Sequence, residues 1–157
     1  MQLLTDLIRT AHFVGMALLC GSVATWAFWI SRAVDHRRPG PQFTFVLENI
    51  LRSDNYFTSP GAAMVGLSGV LMVAFSKLGT PQEWVVPKSA AFIATGLIWR
   101  FALIPAQRNM IRLVTESAGN GELPAEFHHM RRRWLFFGFL NYLLLLGIIG
   151  WSVLAPH

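Results

Sequence analysis

Few side chains in this 157-residue chain can do chemistry, and the first sits where a polar group is costly. His12 lies inside "LIRTAHFVGMALLCGSVATWAFW", residues 7 to 29, a run apolar enough to cross a bilayer. Ionisable groups within a membrane are rare and usually face a protein interior, which makes them functional candidates by default. An imidazole there can give one ring nitrogen to a metal, haem iron above all, and the other to a neighbouring helix that orients it. It serves equally as a plain interhelical hydrogen-bonding group, worth about 0.6–2 kcal/mol. No second histidine falls in another span, since His36, His128 and His129 lie between spans and His157 ends the chain. A bis-histidine haem within one protomer is therefore disfavoured.

The other candidates each have an ordinary reading beside a functional one. Lys88 stands at the start of the third apolar run, on the same side as His12, and an ammonium there snorkels to the headgroups unless a ligand holds it. Lys77 reads the same way at the end of the second run. Arg100 is the most deeply placed fixed charge. It precedes Pro105 by about 8 Å along a helix, so it either snorkels or clamps a propionate, a phosphate or a carboxylate such as Asp54. Asn141 reads as an interhelical hydrogen-bonding group. "HHMRRRW" is less specific than it looks, because neighbouring helical side chains diverge by roughly 100° and His128 and His129 do not readily share one metal. Its arginines are topology determinants and a possible contact for anionic lipid. Cys20 is the only cysteine, so neither an internal disulfide nor a cysteine metal site can form.

These groups must be positioned by membrane helices. With 13% charged and 54% hydrophobic residues, the chain is too apolar for a soluble domain of its size. About 20 apolar residues cross the hydrocarbon, and four stretches qualify, at roughly 7–30, 60–77, 89–105 and 134–155. The expected fold is all-α, a polytopic four-helix membrane bundle forming one domain over residues 1–157, with amphipathic helices in the cytoplasmic loops. Phe43, Val46, Leu47, Ile50 and Leu51 repeat at helical spacing and mark the first of those helices. Thr58 or Ser59 is expected to cap the second span, with Pro60 in its first turn. Pro105 should kink the third, which continues as an amphipathic extension through Met110, Leu113 and Val114 until "AGNGELP" ends it. Gly61, Gly66 and Gly69, and likewise Gly147 and Gly150, predict close helix packing. Trp26, Trp29, Trp84, Trp134 and Trp151 fall near span ends, like an aromatic belt. The first span has no basic region ahead of it and no small-residue cleavage site, so it reads as an uncleaved helix.

Charge sets the orientation. Arg32, Arg37, Arg38 and Arg52 follow the first span, and Arg108, Arg112, Arg131, Arg132 and Arg133 follow the third. The opposite side has only Arg9, Lys77 and Lys88. Arginine and lysine accumulate on the cytoplasmic side, so both termini should be periplasmic, in a bacterial inner membrane. The same charges flank spans instead of forming a soluble basic face, which argues for lipid and against nucleic acid as the partner.

Four stretches, "TAHFVGMALLCGS", "FTSPGAAMVGLSGVLM", "GLIWRFALIPAQRNM" and "RRRWLFFGFLNYLLLLGIIGWSVLAP", together resemble a bacterial family of predicted integral membrane proteins of unassigned function. In layout the chain is more distantly similar to the HemJ-type protoporphyrinogen oxidases and to the membrane domain of CopD-type copper proteins. The HemJ resemblance implies haem b, with His12 as the iron ligand and Lys88 as the match to a lysine of a later helix. Three classes of function follow. A haem-binding redox protein, acting on a porphyrin or a quinone, makes most use of His12. An accessory subunit would pair with other membrane proteins or with a second copy. Copper handling or transport is third, because no metal-ligand cluster is visible.

Overall fold

The computed structural model describes residues 2–35, 41–75, 82–117 and 122–154. Lys77, His36, Arg37, Arg38 and His157 lie outside the described residues, and so do the side chains of Arg32 and Trp84. The chain forms α1 (Gln2–Asp35), α2 (Pro41–Ser53), a π-helical turn (Asp54–Thr58) and α3 (Ser59–Phe75). After these come α4 (Gln82–Ile98), a second π-helical turn (Trp99–Leu103), α5 (Ile104–Glu116) and α6 (Ala125–Leu154). The protein is an all-α polytopic membrane protein. Four helices are long and apolar enough to cross a bilayer: Gln2–Trp26, Phe43–Phe75, Val85–Glu116 and Ala125–Ser152.

One of these helices corrects the sequence reading. The amphipathic helix and the second span are one continuous helix, and Ser59 keeps helical dihedrals (φ −64°, ψ −48°) without acting as a cap. The third span runs on through Pro105 to Glu116, as its amphipathic extension predicts. In both, a π-turn begins six residues before a proline, Asp54 before Pro60 and Trp99 before Pro105. A proline has no N–H for the carbonyl four residues back, and its ring crowds that carbonyl. Widening the preceding turn relieves both problems without breaking the helix.

Packing differs between the two ends of the molecule. At the arginine-bearing end, α2, α5 and the start of α6 close over a core of Trp26, Phe43, Leu47, Met110, Val114 and Phe127. Met110 and Val114 are fully buried. Where α1 meets α3, contact depends on small residues instead. A Cβ on Gly15 would stand 2.8 Å from Met64 Cβ and 2.9 Å from the Gly61 carbonyl, and one on Gly61 would stand 3.0 Å from the Gly15 carbonyl. The two glycines thus let α1 and α3 touch backbone to backbone. Gly66 and Gly69 are in ordinary contact range, whereas Cβ atoms on Gly147 and Gly150 would meet nothing within 4 Å. That last pair corrects the expectation of close packing: at its far end α6 has no helix against its glycines.

Among the described residues the spans follow the order α3, α1, α6, α4, because α1 meets α3 and α6, and α6 meets α4. The backbones of α3 and α4 do not approach each other. Phe92 reaches across instead, its Cε1 lying 3.6 Å from where a Cβ on Gly66 would be. Along this seam a side chain, and not backbone contact, bridges the two helices.

Candidate functional site

Behind that seam lies a cavity of about 560 Å³, well within the roughly 300–1,000 Å³ of small-molecule sites. Ala62 of α3, Phe92 of α4, Leu19 of α1 and Leu145 of α6 wall its apolar part. Toward the arginine-bearing end the walls become polar, with Thr58, Gln107, Trp134 and Asn141. Gln107, Trp134 and Asn141 are each at least 95% buried. Gln107 Oε1, Trp134 Nε1 and Asn141 Oδ1 nevertheless have no hydrogen-bond partner. An unpaired buried polar group costs about 1–3 kcal/mol, and these three atoms are closed off by protein instead of open to the cavity.

The two π-turns shape this polar end. Asp54 is 2% exposed, and its Oδ1 accepts a hydrogen bond from Trp99 Nε1 at 3.3 Å. The Thr58 and Gln107 side chains also come within hydrogen-bonding reach of the carboxyl. Asp54 Oδ2 has no geometrically good partner. Close by, Ser22 and Thr58 hydroxyls meet at 3.2 Å, and Trp26 Nε1 donates to Ser53 Oγ at 2.9 Å. These bonds tie α1 to the first π-turn and α2, and so fix one wall of the cavity.

The residues singled out by type fall in three places. His12 sits half-buried on the α1–α3 seam, its Nδ1 2.9 Å from Ser68 Oγ. Ser68 donates its hydroxyl hydrogen to the Met64 carbonyl, so it accepts from His12 Nδ1–H. The Val65 backbone is also within hydrogen-bonding reach of the imidazole. This arrangement places the ring's lone pair on Nε2. Lys88 is half-buried on α4, which does not touch α1. Arg100 is exposed at the cavity rim, with its guanidinium carbon 5.8 Å from the Phe101 ring centroid. It makes no ion pair with Asp54, the carboxylate named as one alternative for it: the adjacent Trp99 hydrogen-bonds that carboxyl, while Arg100 is exposed. His12, Lys88 and Arg100 are thus not drawn into one cluster.

Other residues behave differently from the sequence reading. Asn141 was expected to bridge helices; it borders the cavity, and its oxygen is buried without a hydrogen-bond partner. Trp26 and Trp134 are buried at 6% and 5% exposure instead of joining a belt, while Trp29 and Trp151 are exposed as a belt requires. Gln107 and Trp99 escaped notice. Gln107 looked like one more polar residue of an amphipathic extension, and only its place one turn after a wide turn gives it an inward direction. Among the described residues no three His, Cys, Asp or Glu side chains gather to hold a metal ion.

Comparison with curated proteins and with solved structures finds no match. A family model does match, over residues 6–156 and hence nearly the whole chain. The chain belongs to the family described as "Predicted integral membrane protein (DUF2269)".

Proposed function

We propose that this protein is a membrane-embedded binding protein for a small molecule with an apolar body and a hydrogen-bonding head. The observation that carries this reading is the cavity of about 560 Å³ itself, apolar along Ala62, Phe92 and Leu145 and bordered at its other end by the polar residues Thr58, Gln107 and Asn141. The seam between α3 and α4, where Phe92 bridges in place of backbone contact, offers a lateral entrance from the lipid, so the ligand need not pass through water. An inner-membrane location with periplasmic termini fits the arginine bias, which would place the polar end of the cavity near the cytoplasmic face.

The test uses the space itself. Gly138 lines the cavity, and a Cβ there would meet nothing within 4 Å, so Gly138→Phe should fill the cavity without disturbing a neighbour. Purified wild type should bind decylbenzene saturably, read as quenching or shift of tryptophan emission, since Trp26, Trp99 and Trp134 all line the cavity. The filled variant should fold and lose that binding. Equal binding by both proteins would overturn the reading.

A second reading, a b-type haem held by His12, is favoured by the His12–Ser68 contact. The donor chemistry fits a single axial ligand: Nδ1 is anchored and Nε2 is left with its lone pair. A bound haem would supply one-electron chemistry. His12 is not among the cavity walls, and Lys88 lies on a helix that does not touch α1, so His12 alone carries this reading. Protein expressed with ample haem should show a Soret band that His12→Ala abolishes. Ser68→Ala should weaken haem retention about 10–100-fold, as loss of an orienting partner does elsewhere. A colourless wild type would end this reading and leave the cavity reading standing.

A further inference from the structure

We infer that Asp54 is a proton site coupled to the cavity, its carboxyl holding a proton while an apolar ligand fills the space and giving it up when water takes the ligand's place; this rests on the cavity reading above. Asp54 is 2% exposed and does not itself line the cavity, but Thr58, Trp99 and Gln107, the side chains within hydrogen-bonding reach of its carboxyl, all do. The carboxyl therefore stands one side chain behind the wall. Its Oδ1 accepts from Trp99 Nε1, whereas Oδ2 is buried with no partner. Gln107 Oε1 is also buried without one. Both atoms are acceptors, and an ionised carboxylate has no hydrogen to offer an amide oxygen. One proton changes that, because a carboxylic acid O–H on Oδ2 is a donor and the amide oxygen of Gln107 lacks one. A proton also needs no room, which suits atoms closed off by protein.

Among the described residues no fixed charge stands by to hold the ionised form. Of the elements packed against the first π-turn, α3 carries no titratable residue, and Glu48 and Arg52 of α2 face each other 3.9 Å apart at the surface. α1 reaches this level with the uncharged Ser22 and Trp26, and half-buried Cys20 is its described titratable side chain closest to them in sequence. On the side of Trp99 and Gln107, Arg100, Arg108 and Arg112 are exposed, and Arg112 pairs with Glu116. α6, which bears Tyr142 and Arg131, does not pack against the turn. An ionised carboxyl so placed depends on water in the adjoining space, and an apolar ligand expels that water. Ligand binding therefore takes up a proton, and by reciprocity protonation tightens ligand binding.

Decylbenzene, a probe with no titratable group of its own, is titrated into the purified full chain at steps between about pH 5 and pH 9 while tryptophan emission is followed. Wild-type affinity should fall at least about tenfold as the pH rises. Asp54→Asn cannot ionise and should bind at every pH as the wild type does at the lowest. That variant keeps His12, His128 and His129, so a pH dependence arising from them would survive in it. Wild type alone gives a second readout: at neutral pH, adding decylbenzene should raise the infrared carbonyl stretch of a protonated carboxyl. Affinity independent of pH in wild type, a pH dependence retained in Asp54→Asn, or no gain in that band would overturn the coupling while leaving the cavity reading in place. Absence of saturable binding at any pH would remove the cavity reading and this inference with it.

Discussion

Trp99 Nε1 donates to Asp54 Oδ1 across 3.3 Å, and each of the two residues is the first of a π-turn. The bond therefore joins the two interrupted helices at the level where each is widened. Trp99→Phe keeps the ring and removes the donor, which should lower stability by about 1–3 kcal/mol because a buried carboxylate oxygen loses its partner. Asp54→Asn keeps an acceptor oxygen and should be the milder change. Thermal unfolding in detergent measures both, and a Trp99→Phe midpoint equal to wild type would show that the bond does not hold the helices together.

The glycine contact gives a prediction with its own control. Gly15→Ala and Gly61→Ala each push a methyl group into backbone atoms about 3 Å away and should destabilise the α1–α3 pair by about 1–3 kcal/mol. Gly147→Ala places its methyl group in open space and should be neutral or slightly stabilising. A matching loss in all three would point to a general helix effect and not to the close approach.

Arg100→Lys should be mild. The side chain is exposed and unpaired with Asp54, so an ammonium on a flexible stem can take the same route to the interface. Folded yield and ligand binding should both match wild type. A clear loss in the lysine variant would show that the planar fork of arginine is required.

Orientation is open to a direct check. Reporter fusions after residues 40 and 157 should lie on opposite sides of the membrane, the first cytoplasmic and the second periplasmic. Two fusions on one side would remove the alternation of four spans.

Much of the fold was legible in the sequence because hydropathy reads span number directly, and helical spacing picked out Phe43, Leu47, Met110, Leu113 and Val114 as one apolar layer. The continuity of α2 with α3 was not legible. "SDNYFTSPG" has the residues of a cap and a helix start, and nothing local says that a proline can be absorbed by widening the turn before it. The cavity was hidden for a related reason. Gln107 comes from α5 while Trp134 and Asn141 come from α6, and what unites them is a space between helices, which no one-dimensional spacing records. His12 was visible by its incongruity, but its partner Ser68 looked like one more small residue in a glycine-rich span.

Each wide turn has a consequence for how its helix meets its neighbours on either side of it. A single residue beyond normal helical pitch rotates all that follows by roughly 100° relative to an unbroken helix. Phe43, Leu47 and Ile50 can therefore aim at the core shared with α5 and α6, while Gly61 and Ser68 further along the same rod aim at α1. One rod is thus keyed to two different partners, and the phase slip between them is where the lock turns. Excising one residue from Asp54–Thr58 should throw the two keys out of alignment, even though every side chain that makes contact would still be present.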